Sequence, residues 1–133
     1  MSDPAIPTPG PPSEAPTIRV VAMPADTNPA GDIFGGWLMS QMDLAAATIA
    51  TRRARGRTAT VAVDGMSFLR PVTVGDEVSF YATLVQTGRT SLKVQVEAWR
   101  RAREDEDTEK VTEATFTFVA IGEDRRSREL PAL

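Results

Sequence analysis

The 133 residues fit one domain, with 41% hydrophobic and 25% charged side chains, the proportions of an ordinary globular protein. A formal net charge of −3 is too mild to imply a nucleic-acid partner or an acidic interaction tail, so an anionic ligand would have to be met by local arginines. Cysteine and histidine are both absent, which removes disulfides, thiol nucleophiles, Ser-His-Asp and Cys-His catalysis and the usual zinc sites.

The chain opens with MSDPAIPTPGPPSEAP, residues 1–16, whose six prolines remove amide donors and predict a mobile arm. Thr17 to Met23 (TIRVVAM) is a short strand candidate, and PADTNPAGD, residues 24–32, is rich in turn formers. One strong helix is predicted from Phe34 to about Arg55, with Asp32 as N-cap, Gly56 as its stop and Arg52, Arg53 and Arg55 near the negative end of its dipole. Trp37, Leu38, Met39, Met42, Leu44, Ala45, Ile49 and Ala50 make it apolar nearly all round, which predicts burial on several sides. Four strand candidates follow: Thr58 to Leu69, Glu77 to Thr87, Ser91 to Arg101 and Lys110 to Ile121. Pro71 to Asp76, Thr87-Gly88-Arg89 and the charged stretch Arg103 to Glu109 punctuate them, which predicts an antiparallel meander. The fold class is α+β, a single curved antiparallel sheet of about five strands wrapped round one long helix. The ordered domain is expected over residues 17–122, with a polar tail, residues 123–133, that frays. No run approaches the ~20 apolar residues that span a bilayer, and no secretory signal is evident, so a cytoplasmic location is expected.

Asp43 stands in the middle of the apolar helix (WLMSQMDLAAATIA). Desolvation would raise its pKa toward the range useful to a general base or nucleophile, unless it is a structural carboxylate bonded to a hydroxyl or amide. Its helix face carries Gly36, Met39, Ser40, Ala46, Ala47 and Ala50, small enough for a ligand or another subunit to approach. Gly35-Gly36 cost ~1 kcal/mol each relative to alanine inside a helix. Either their amides grip a polarised carbonyl oxygen, or they permit close packing where the chain turns into the helix. Seven residues separate Gly36 from Asp43, about 10 Å along a helix, too far for both to meet one carbonyl. The amides would then come from one subunit and Asp43 from another across a two-fold interface. Asn28 could orient water or bind the carbonyl, or form an Asx-turn. Arg89, Thr90 and Ser91 at a turn suit a phosphate, and Arg57 and Arg70 are further cationic candidates or solvated strand ends.

Taken together, MPADTNPAGDIFGGWLMSQMDLAAATIATRRARGR, then TVAVDGMSFLRPVTVGDEVSFYA, then GRTSLKVQVEAW, closely resemble the YciA-like acyl-CoA thioesterases, from about Val20 to Ile121. The resemblance implies a hotdog fold, a homodimer with active sites at its interface and commonly a homohexamer built as a trimer of dimers. It implies hydrolysis of acyl-CoA to the free acid and coenzyme A, which is part of the substrate, with no separate cofactor and no metal. Asp43 takes the place of the catalytic carboxylate, Asn28 works opposite it from the partner subunit, and Phe34-Gly35-Gly36 matches the segment that polarises the thioester carbonyl. Phe68 to Val72, including Arg70, and Gly88, Arg89, Thr90 and Ser91 match the parts that flank coenzyme A. Related groups often carry a histidine where this chain has Phe34, and the hydratases on this fold use a histidine that this chain lacks. The remaining alternative is a non-catalytic acyl-CoA-binding or regulatory module with the same groove.

Overall fold

The computed structural model describes residues 10–133. The first nine residues of the expected Pro-rich arm lie outside them, and residues 10–16 belong to no helix or strand. The elements are β1 (Ile18–Val21), a short 3-10 turn (Pro24–Asp26), α1 (Gly35–Ala54), β2 (Thr58–Asp64), β3 (Glu77–Thr87), β4 (Ser91–Arg101) and β5 (Thr108–Ala120). The strands form one sheet in the order β1-β3-β4-β5-β2, and every pair is antiparallel.

The alternating residues of the central strands point at α1. Val78 and Phe80 of β3 and Leu92, Val94, Val96 and Ala98 of β4 are fully buried, and Phe116 and Phe118 of β5 extend the same layer. These meet Trp37, Leu38, Met42, Ala45, Ala46 and Ala50 of the helix, so the core is the space between one helix face and the concave side of the sheet. The small alanines let the helix lie close to the large phenylalanines, the interdigitation that a dense interior requires.

The meander expectation holds for β3, β4 and β5 and fails for β2. β2 pairs with β5, Thr58 lying opposite Ala120, and so stands at the far edge of the sheet. Residues 65–76 between β2 and β3 are too long for a hairpin, and part of them continues along β5: Leu69 N–H donates to the Val111 carbonyl at 2.7 Å and the Thr112 hydroxyl to that of Ser67 at 2.6 Å.

The helix limits also differ from expectation. Asp32 is not the N-cap. Its amide is held by the Asn28 side chain, and the capping position falls on Phe34, which offers no side-chain hydrogen bond. At the other end the left-handed turn is taken by Arg55 (φ 52°, ψ 44°), one residue before Gly56. Nor is the helix wrapped on all sides. Leu44 is 56% exposed and Met39 40%, because five strands curl over one face only and leave the opposite apolar face open in a single chain.

The polar tail, residues 123–133, lies back along the domain. Beyond β5 the chain reverses, Arg128 N–H donating to the Ala120 carbonyl and Leu130 N–H to that of Arg89, both at 2.9 Å, and Leu130 packs on the core. Backbone donors that find carbonyls on an existing strand and turn gain what a free tail would seek from water.

Candidate active site

Asp43 projects from the second turn after the helix start into a cleft of about 330 Å³ lined by Gly36, Met39, Ser40, Asp43, Thr60, Val63 and Phe116. The carboxylate is half-buried, less deep than an all-round apolar helix would place it, because this face is the one at the margin of the sheet. Thr60 donates its hydroxyl to Asp43 Oδ1 at 2.6 Å, a charge-assisted bond that orients the carboxylate, while Oδ2 has no hydrogen-bond donor among the described residues.

Thr60 was not among the residues that the sequence pointed to. It reaches the aspartate because of a β-bulge: Thr60 lies opposite Phe118 and Ala62 opposite Thr117, so Val61 is an extra residue. Without the bulge, residues 60 and 63 would fall on opposite faces of the strand. With it, Thr60 and Val63 both line the cleft, and Val61 is turned out to 58% exposure.

The start of the helix is bare. The Trp37 amide bonds to the Phe34 carbonyl at 3.0 Å, while the Gly35 and Gly36 amides have no acceptor among the described residues. Aromatic rings close in from either side. A Cβ built on Gly35 would stand 2.9 Å from the tip of the Phe68 ring, and one on Gly36 3.2 Å from the ring of Phe34. The two glycines therefore answer both readings offered by the sequence: they admit close packing, and they leave two N–H groups free at the positive end of the helix dipole.

Asn28 heads the turn that delivers the chain into this helix. Its Oδ1 accepts from the amides of Ala30 at 3.0 Å and Asp32 at 3.1 Å, which is the Asx-turn arrangement, and its backbone N–H donates to the Asp32 carbonyl at 2.7 Å. The side-chain amide Nδ2 has no acceptor among the described residues and remains a donor for a ligand.

The two segments expected beside coenzyme A are far apart in one chain. Arg70 pairs with Glu109 at the beginning of β5, whereas the Thr90 carbonyl accepts from Ala120 N–H at its end. Eleven residues of strand separate these contacts, roughly 36 Å. Phe68 stays with the helix start. Gly88, Arg89, Thr90 and Ser91 form the β3–β4 turn, closed by Gly88 N–H donating to the Ser91 carbonyl at 2.8 Å, and Arg89 pairs with Glu129 at 3.1 Å. Trp37 and Met42 belong to the core, whereas Met39, Val63 and Phe116 line the cleft beside Asp43. Among the described residues no group of three or more Asp or Glu side chains is arranged to hold a metal.

A sheet curled against one helix, with a bare helix start and a carboxylate two turns on, is the hotdog arrangement, and the chain belongs to the thioesterase superfamily, whose family model matches residues 30–106. Two relatives are an uncharacterised acyl-CoA thioester hydrolase of Zymomonas mobilis, 53% identical over 92% of this chain and 82% of its own length, and the acyl-CoA thioester hydrolase YciA of Escherichia coli, 51% identical over 86% and 89%. Among solved structures, the hexameric thioesterase y2039 of Yersinia pestis superposes with a TM-score of 0.86 at 48% identity, covering 92% of this chain and 99% of that one.

Proposed function

We propose that this protein is an acyl-CoA thioesterase that hydrolyses the thioester at an interface between subunits. The observation that carries the reading is the pairing, in one thioesterase-family chain, of two unengaged helix-start amides with a hydroxyl-oriented carboxylate that opens into a cleft. The amides of Gly35 and Gly36 bind the thioester oxygen and stabilise the charge that develops on it in the tetrahedral intermediate. Asp43 either takes a proton from the attacking water or attacks the acyl carbon itself. In the first course the water oxygen bonds to the acyl carbon, the C–S bond breaks and the thiolate leaves to take up the proton. In the second, an Asp43 oxygen bonds to the acyl carbon as the C–S bond breaks and the thiolate leaves; water then cleaves the acyl-aspartyl anhydride to the free acid and the Asp43 carboxylate, and the proton released goes to the thiolate.

Gly36 and Asp43 of one chain are about 10 Å apart along the helix axis, so each reacting carbonyl meets the amides of one subunit and the aspartate of its neighbour. Asn28, through Nδ2, faces Asp43 from the partner in this scheme. The open helix face around Met39 and Leu44 and the unpaired edge of β2 are the surfaces such a dimer would cover. Three such dimers make a homohexamer in this reading, and the Yersinia pestis thioesterase is hexameric.

In this reading the coenzyme A is divided between protomers. Phe68 and Arg70 flank it from the chain that supplies the helix start, and Gly88, Arg89, Thr90 and Ser91 from the chain that supplies Asp43. In that second chain Phe116, on the wall of the aspartate cleft, is four residues of β5 from Ala120, or ~13 Å from the turn, a span for the extended pantetheine arm. Coenzyme A is part of the substrate, and the groups named suffice without a further cofactor. No helix among the described residues is long and apolar enough to cross a membrane, and the site of action in this reading is the cytoplasm.

Thiol release from acetyl, malonyl, hexanoyl and palmitoyl coenzyme A tests the activity and its chain-length preference together. Asp43→Asn keeps the shape of the side chain and should lower turnover by at least ~100-fold while coenzyme A still binds. Near-normal turnover in that variant would exclude both courses. A single turnover in heavy-oxygen water separates them: direct attack by water places all the label in the released acid, while hydrolysis at the aspartyl carbonyl of an anhydride places it in Asp43.

A further inference from the structure

The tail that returns along β5 ends at the turn assigned to the phosphates. Its route is defined by four contacts: Arg128 N–H to the Ala120 carbonyl, Arg128 Nη2–H to the Ala54 carbonyl, Leu130 N–H to the Arg89 carbonyl, and Arg53 Nη1–H to the Pro131 carbonyl. Glu129 is thereby held between two anchored residues, and its Oε1 accepts from Arg89 Nη1 at 3.1 Å. No other acidic group is paired with Arg89 among the described residues. The guanidinium is 78% exposed on its side chain and the carboxylate 68%, so the pair stands open to solvent and to an arriving ligand.

We propose that Glu129 is an internal competitor for the substrate's phosphate, a specificity-determining residue that occupies Arg89 in the free enzyme and is displaced when coenzyme A binds. The inference rests on the reading that Arg89 takes a phosphate of coenzyme A. A guanidinium presents the same fork of N–H donors to a carboxylate as to a phosphate; Glu129 holds one arm of it, Nη1, and a phosphate that takes the whole fork displaces the carboxylate. The carboxylate also opposes an incoming dianion by charge. An exposed pair of this kind is weak, so it attenuates binding without abolishing it. The consequence is selective. A thioester without a nucleotide, such as an acyl-N-acetylcysteamine, has no phosphate to compete and is indifferent to Glu129.

Glu129→Gln removes the charge and keeps the length of the side chain, while the Leu130 and Arg128 contacts keep the tail in place. The dissociation constant for coenzyme A, measured by calorimetry, should fall by roughly 2- to 5-fold, and KM for acyl-CoA with it. kcat/KM for the acyl-N-acetylcysteamine should not move in this variant. Arg89→Ala should weaken coenzyme A binding, and in that background Glu129→Gln should no longer strengthen it. If Arg89→Ala leaves coenzyme A affinity intact, the assignment of the turn to phosphate is wrong. If Arg89→Ala weakens binding but Glu129→Gln leaves it unchanged or also weakens it, Glu129 is no competitor and the inference falls alone. An equal gain from Glu129→Gln with and without Arg89 would likewise overturn it, since the effect would then be one of bulk charge.

Discussion

The two ends of α1 are finished in opposite ways. At its start no side chain caps the helix, Asp32 lying two residues short of the capping position, and Gly35 and Gly36 keep bare amides between the rings of Phe34 and Phe68. At its finish Arg55 turns left-handed, its neighbour Gly56 donates to the Thr51 carbonyl, and Arg128 arrives from the far end of the chain to donate to the Ala54 carbonyl. Both ends of any helix have unsatisfied polar groups, and a protein built for stability alone would close both. This one closes the end remote from the carboxylate and leaves the near one open. The open end should therefore tolerate stabilising changes badly in activity, and the closed end should respond to changes in stability only.

Filling the open end is the most severe break of that contrast after loss of Asp43 itself. Gly35→Ala adds a methyl group 2.9 Å from the Phe68 ring, which must swing away, and the displaced ring and methyl crowd the amides. Activity should fall roughly 10- to 100-fold, the scale of a misplaced reacting group. Thermal stability should hold or rise, because alanine is the better helix former by up to ~1 kcal/mol. A variant that loses stability and keeps its activity would show that the glycine serves packing and nothing else.

A smaller effect is expected one step from the reacting atoms. Thr60→Val removes the hydroxyl that donates to Asp43 Oδ1 and retains the branched shape suited to a strand. A hydrogen bond to a charged group contributes about 1.5 kcal/mol or more, which corresponds to at least a tenfold fall in kcat if the bond positions the carboxylate. Thr60→Ser, which keeps the donor, should restore most of it. Equal turnover in the valine and serine variants would assign Thr60 to the surface of the cleft alone.

Much of this architecture was legible in the sequence, and the reasons why the rest was not are physical. The helix and the strands announce themselves through local periodicity, so Leu92, Val94, Val96 and Ala98 could be placed on one buried face from their spacing alone. Asp43 stood out because an acid inside an apolar helix is costly wherever it is not used or bonded. The placement of β2 beside β5 was not legible, since strand order depends on which edge is free after the others have paired. The bulge at Val61 was equally hidden, and with it the reason that Thr60 faces Asp43. Ion pairs such as Arg89–Glu129 and Arg70–Glu109 join residues about 40 apart and carry no local signal. Asp32 looked like an N-cap because the preference for aspartate there is real, but the helix begins at Gly35, which puts Phe34 at the capping position and Asp32 two residues short of it.

The closed end offers the finest test. Arg128→Ala leaves the Ala54 and Ile121 carbonyls without their side-chain donors and should cost about 1–2 kcal/mol of stability, read as a lower denaturant midpoint at unchanged slope, with kcat preserved. Gly56→Ala attacks the same contact from the other side, because a Cβ there would stand 2.6 Å from Arg128 Nη2. Gly56 is not in the left-handed region, so the backbone itself accepts alanine. The cost of the methyl group is then the displacement of the guanidinium and should be smaller, under about 1 kcal/mol, since a flexible side chain can retreat. In an Arg128→Ala background nothing remains to displace, and Gly56→Ala should become neutral or slightly stabilising by reducing the freedom of the unfolded chain. That reversal of sign between the two backgrounds is what a shared contact demands, whereas two independent losses would simply add.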